Sequence, residues 1–195
     1  METKNIRVVL ASKSPRRREL LARIINEFEI ITRETDETLP LGMHPSDGVG
    51  VLAVRKGDAV ACELSFDTLV ISSDTLVELD GIPLGKPDSE LSAKEMLLTL
   101  SGRTHNVHTG VAVHYNGRVW SGVDTARVTF RNLTEREALE YIATGEPMDK
   151  AGSYAIQGIG KKFVAGYEGD FNAIVGLGLE LTERLVTLAL GGDCE

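Results

Sequence analysis

The stretch IRVVLASKSPRRRELLARII, residues 6–25, decides the fold. Ile6, Val8, Val9 and Leu10 make a short, β-branched apolar run, so residues 6–12 read as a buried strand. Leu20, Leu21, Ile24 and Ile25 then recur at helical spacing, and residues 14–25 read as a helix with Ser14 as N-cap and Pro15 at its first position. A buried strand feeding a helix opens an α/β sheet. The junction also carries chemistry. Between a strand ending at Ser12 and a helix starting near Pro15, free backbone N–H groups and the positive end of the helix dipole face outward. Arg16 and Arg17 fall in the first helical turn, where cations oppose that dipole unless an anion docks there.

Outward from this stretch, residues 28–33 read as a second strand. Residues 45–64 read as a helix opened by Ser46 or Asp47 and weakened by Gly48, Gly50 and Gly57. Residues 68–74 form a third strand, and 75–84 a strand pair turning at Asp80–Gly81. Residues 88–102 form a helix closed by Gly102. Residues 104–130 read as a long antiparallel hairpin turning at Asn116–Gly117. Thr134 and Glu137 have capping-box spacing at the head of a helix over 134–145. Strands at 161–169 and about 171–175 precede a closing helix near 179–190. Early strand–helix alternation followed by hairpins predicts an α/β fold: a mixed twisted sheet with flanking helices and two lobes around a cleft, in a single domain over 1–195.

At 195 residues the chain suits one domain. It lacks the run of roughly 18 apolar residues that a spanning helix requires. The apolar stretch near the N-terminus is too short for a signal peptide, which makes the cytoplasm the expected compartment. Cys62 and Cys194, the only cysteines, lie far apart and are expected as free thiols. A net charge of −8 argues against a nucleic-acid partner, which would need a positive field. Yet Lys13, Arg16, Arg17 and Arg18 crowd one turn, a pattern suited to a small polyanion.

Asp74 ends the apolar run TLVISSD, which puts a carboxylate at the mouth of the sheet. In LGKP, Gly85 permits close approach and Lys86 is held before a proline; a hairpin would return Lys86 toward Asp74. Lys56 interrupts a stripe of Val49, Leu52 and Val60, and either snorkels or reaches a ligand. Glu37 follows the second strand beside Glu34 and Asp36, a loop that alone reads as solvated. No P-loop pattern occurs. His105 and His108 are oddly spaced on a strand, which sends them to opposite faces and argues against a histidine metal site. Carboxylates with cations and no covalent nucleophile suit metal-assisted attack of water on phosphorus, with Mg²⁺ or Mn²⁺ as the divalent ion.

The blocks LASKSPRRRELL, TDET, SSDTLVELDGIPLGKP, LSGRTHNVHTGVAV, GEPMDKAGSYAIQGIG and NAIVGLGL, in this order, resemble the Maf family of nucleotide pyrophosphatases. The resemblance implies an inosine-triphosphatase-like fold, a homodimer, and hydrolysis of a nucleoside triphosphate between its α and β phosphates. It casts Asp74 as catalytic base and Glu37 as the second metal-organising carboxylate. Lys56 and Lys86 match catalytic, triphosphate-binding positions, and Ser12 and Arg17 match triphosphate-binding ones. Arg16, Thr75 and Gln157 match positions that separate subgroups, here resembling dTTP/UTP pyrophosphatases. The 7-methyl-GTP subgroup carries Trp, Gln and Glu there. Other expectations are inosine-type specificity or a non-catalytic nucleotide-binding regulator of septum formation. Gln157 could donate to O4 and accept from N3–H of uracil or thymine, although a flipped amide suits cytosine. Gly57 departs from the family's usual alanine and is expected to loosen its helix.

Overall fold

The computed structural model describes residues 6–39 and 42–192. Its centre is a seven-stranded mixed sheet in the order β2-β1-β3-β5-β6-β7, with β4 paired to β3. β1 (Val8–Leu10) is fully apolar and buried, and runs parallel to β2 (Glu29–Ile30) and to β3 (Leu69–Leu79). β4 (Ile82–Leu84), β5 (Thr104–Tyr115), β6 (Arg118–Phe130) and β7 (Val164–Glu168) extend the sheet by antiparallel pairing. The parallel start and antiparallel remainder match the sequence pattern. Both tight turns fall where Asp-Gly and Asn-Gly place them, with φ of 53° and 82° at Asp80 and Gly81, and 50° and 69° at Asn116 and Gly117.

One irregularity of this sheet makes the cleft. On one edge β3 pairs with β1 only through Leu69–Ile71 and with β4 only through Val77–Leu79. Among the described residues, no strand lies beside 72–76 on that edge. The segment is thus one continuous strand through Asp74, not a strand followed by a separate hairpin, and its middle borders open space.

Helix α2 (Pro45–Ala61) packs on one face of β3 and β5, where Ser72 Oγ donates to Ala53 O at 2.7 Å. The opposite face carries α5 (Phe171–Val175) and α6 (Leu179–Ala189). α3 (Glu90–Leu100) and α4 (Glu135–Ile142) pack together and join the main apolar cluster through Leu97, Leu100, Ala138 and Tyr141. Among the described residues no helix is long and apolar enough to cross a membrane.

Several boundaries differ from expectation. α1 (Pro15–Leu21) is capped by Ser14 but stops early, and Arg23 and Ile24 close tighter turns onto Leu20 and Leu21. α2 is capped by His44, whose Nδ1 accepts from Ser46 N, and not by Ser46 or Asp47. The expected strand at 171–175 is the helix α5. Asp170 accepts from Asn172 N at 2.8 Å, and this cap overrides the β-branched pair Ile174–Val175. The strand expected from 161 begins only at Val164, because Phe163 is buried in a preceding 3₁₀ turn. Cys62 is exposed, and Cys194 lies outside the described residues.

Candidate active site

Alternation along β3 splits its side chains: Ser72 and Asp74 face α2, while Ser73 and Thr75 face α5. Strand geometry alone therefore puts two adjacent polar residues on opposite walls of one opening. That opening is a cleft of about 1000 Å³. Ser12, Arg16, Arg17, Glu37, Lys56, Asp74, Thr75, Lys86 and Gln157 all line it. The structure thus brings these nine candidates to one place, whereas Arg18 of the basic turn does not line the cleft.

On the α2 wall, Lys56 reaches out of the apolar stripe made by Val49, Leu52 and Val60, each at most 2% exposed. Its Nζ lies 2.5 Å from Asp74 Oδ1 and 2.7 Å from Glu37 Oε1. One ammonium thus holds two carboxylates together, one on a strand and one on the loop after β2. Asp74 is 8% exposed, so its charge is paired where water is scarce. The hydrogen bond from Lys56 is the main cause holding the Glu37 carboxyl below its ordinary pKa, with Lys86 and Arg17 adding attraction. Lys86 itself is exposed at the rim.

On the opposite wall Arg17 crosses from α1 to the sheet. Its Nε donates to Gly176 O at 2.9 Å, Nη2 to Thr75 Oγ1 at 3.1 Å and Nη1 to Ser12 Oγ at 3.4 Å. Burial is the leading cause that lowers its pKa, opposed by Asp74 and Glu37. A guanidinium nevertheless stays charged. Ser14 caps α1 by accepting from Arg17 N, so the first helical turn opens into the cleft as the strand–Ser–Pro–helix order implied.

Other lining residues were not singled out in the sequence. Glu146 accepts from Tyr141 Oη at 2.7 Å and from the N–H groups of Ile159 and Gly160, each at 3.0 Å. Burial pushes its carboxyl up, but these bonds outweigh it and the net shift is downward. Glu146 thereby fastens the loop that carries Gln157. Asp149 and Lys150 pair beside it and also line the cleft. The block GEPMDKAGSYAIQGIG contains all three, yet no periodicity in it marks them. His105 and His108 point elsewhere, to Tyr154 and to Glu78 with Thr125.

The arrangement combines convergent carboxylates with a set of cations and an open helix N-terminus, and the latter two favour a phosphorylated ligand. Comparison with known proteins agrees. A "dTTP/UTP pyrophosphatase" of Moorella thermoacetica is 51% identical over 184 residues, covering 93% of this chain and 94% of that protein. One of Bacillus cereus (strain AH187), with the same name, is 48% identical over 171 residues, 88% of this chain and 89% of that one. In three dimensions the chain is similar to the Staphylococcus aureus Ham1 protein, with a TM-score of 0.51 at 16% identity and coverage of 95% and 96%, a likeness of fold alone. Residues 7–189 match the family described as Maf-like protein, and the chain belongs to that family.

Proposed function

We propose that this protein is a nucleoside triphosphate pyrophosphatase that hydrolyses dTTP and UTP to the monophosphate and pyrophosphate. The observation that carries the proposal is the contact of Lys56 with both Glu37 and Asp74, inside the cleft that also holds Ser12, Arg16, Arg17, Thr75, Lys86 and Gln157. The names of relatives near 50% identity support the same substrates.

In this proposal Asp74 is the general base. A water oxygen bonds to the α-phosphorus, its proton passes to the Asp74 carboxylate, and the bond to the α–β bridging oxygen breaks as pyrophosphate leaves. Lys56, Lys86 and Arg17 stabilise the charge gathering on the leaving group, with Ser12 and the α1 N-terminus holding phosphate oxygens. Arg16, Thr75 and Gln157 receive the nucleoside.

The donor set fits a divalent cation that is completed by substrate. Among the described residues no cluster of three or more His, Cys, Asp or Glu could hold a metal, whereas Glu37 and Asp74 offer hard oxygen donors at one point. Mg²⁺ is commonly held by one or two carboxylates together with substrate phosphates. Glu37 and Asp74 would hold Mg²⁺ or Mn²⁺, and such an ion supplies neutralisation and polarisation of the triphosphate. We further propose a homodimer, as the family resemblance implies, and a cytoplasmic location; a monomer mass in sedimentation would remove the first.

The test is a panel of dTTP, UTP, CTP, ATP, GTP, ITP and 7-methyl-GTP with Mg²⁺ or Mn²⁺, following pyrophosphate and monophosphate. dTTP and UTP should lead, with mismatched bases disfavoured by up to roughly 10⁴-fold. Release of orthophosphate, or preference for 7-methyl-GTP or ITP, would contradict the proposal.

A further inference from the structure

Two hydroxyls flank the Arg17 guanidinium, and their hydrogen bonds have opposite polarity. Ser12 Oγ accepts from Ser14 N at 3.2 Å and from Arg17 Nη1 at 3.4 Å, which leaves its proton for a ligand oxygen. Thr75 is the reverse case. Its Oγ1 accepts from Arg17 Nη2 at 3.1 Å and lies 3.0 Å from Thr109 Oγ1. Thr109 Oγ1 in turn lies 2.7 Å from Ala173 O, and a carbonyl can only accept. The single Thr109 proton is therefore used on Ala173, so Thr75 must be the donor in the Thr75–Thr109 bond. Arg17 cannot reverse the chain, because a guanidinium has no acceptor. Thr75 meets the cleft with its proton committed and one lone pair left.

The surroundings of Thr75 identify what that lone pair would meet. Glu37, Lys56 and Asp74 stand on the α2 side of β3. The Thr75 side carries Arg17 and Ser12, and with them the apolar Val77, Val107, Tyr154, Ile156 and Ile174 line the cleft. The apolar part of that side suits a flat base, with the triphosphate left to the charged groups. Resting on the dTTP/UTP reading above, we propose that Thr109 determines selectivity for uracil and thymine over cytosine, acting through Thr75. The relay Arg17→Thr75→Thr109→Ala173 makes Thr75 an obligatory acceptor for the N3–H of uracil or thymine. Cytosine presents an acceptor at N3, and two acceptors would face one another. Gln157 cannot make this distinction alone, since its amide can turn over and offer either edge. Thr109 is 0% exposed and does not line the cleft, so it is a positioning residue.

The experiment compares kcat/KM for UTP and CTP in the wild type, Thr109→Val, Thr109→Ser and Thr75→Val. Thr109→Val frees the Thr75 proton to turn toward a cytosine N3. The UTP/CTP ratio should fall about tenfold or more, chiefly through a gain on CTP. Thr109→Ser keeps the hydroxyl and should keep the wild-type ratio. A merely structural role would slow both substrates alike and leave the ratio unchanged, and that result in folded Thr109→Val would overturn the inference. Should Thr109→Val fail to fold, Thr75→Val decides: an undiminished ratio there shows that Thr75 does not read N3. Absence of discrimination in the wild type is a separate outcome, seen before any variant is made; it would remove the base-selectivity reading itself and the inference with it.

Discussion

Asp74 contacts Lys56 through one carboxylate oxygen and lies where β3 is paired along one edge only, so its removal should affect chemistry more than folding. Asp74→Asn is expected to lower kcat by about 10²–10⁴ while the thermal midpoint stays near the wild-type value. Wild-type turnover in that variant would remove Asp74 as base. The residues at this scale differed in how legible they were. Asp74 ended an apolar run and Lys56 broke an apolar stripe, and each anomaly was visible because a neighbouring pattern made it one. Thr109 showed no such anomaly. A threonine among valines has ordinary strand propensity, and only the bonds to Thr75 and Ala173 reveal what it does.

At the scale of elements, the sequence was most legible where a local rule governs. The Asn116–Gly117 turn, the capping box and the first helix cap are all present, because each depends on residues within one turn of chain. It was least legible where distant residues decide. Gly57 in α2 was expected to loosen the helix. In the structure a Cβ there would overlap the His114 imidazole and stand 2.7 Å from Ser72 Oγ, so the glycine makes room for the sheet. Gly57→Ala should therefore destabilise by about 1–3 kcal/mol, despite the better helix propensity of alanine. Shortening the neighbour as well, in Gly57→Ala with His114→Ala, should recover part of the loss; a single Gly57→Ala that stabilises the fold in a denaturant titration would refute the packing argument. The α4 cap gives a pH test. Bonds from Arg131 and then from Thr134 hold Glu137 down to about 2 from an ordinary 4.5. A lowered folded-state pKa means its contribution is complete above about 4.5 and fades as pH falls toward 2. Thermal midpoints of Glu137→Gln should lie below wild type at pH 7 and converge with it near pH 2. A gap independent of pH would show that the charge is not what matters.

Across the whole molecule, the cleft exists because β1 and β4 border β3 at its two ends and leave its middle open. Sequence pattern predicted a mixed sheet, but register sets that opening, and register arises from long-range pairing that periodicity does not encode. The same opening gathers residues from the α1 turn, the loop after β2, α2, β3 and the loop fastened by Glu146. A nucleotide bound there should hold these parts together. A non-hydrolysable α,β-imido-UTP with Mg²⁺ at about 100 times its Kd is expected to add about 2.7 kcal/mol to unfolding free energy. Equal stabilisation by the guanosine analogue at the same concentration would argue against a pyrimidine compartment. The most direct measurement of the chemistry is hydrolysis of UTP in ¹⁸O-labelled water, with both products weighed by mass spectrometry. Attack at the α-phosphorus places the label in UMP and leaves pyrophosphate unlabelled; label in pyrophosphate, or its appearance in orthophosphate, would contradict it.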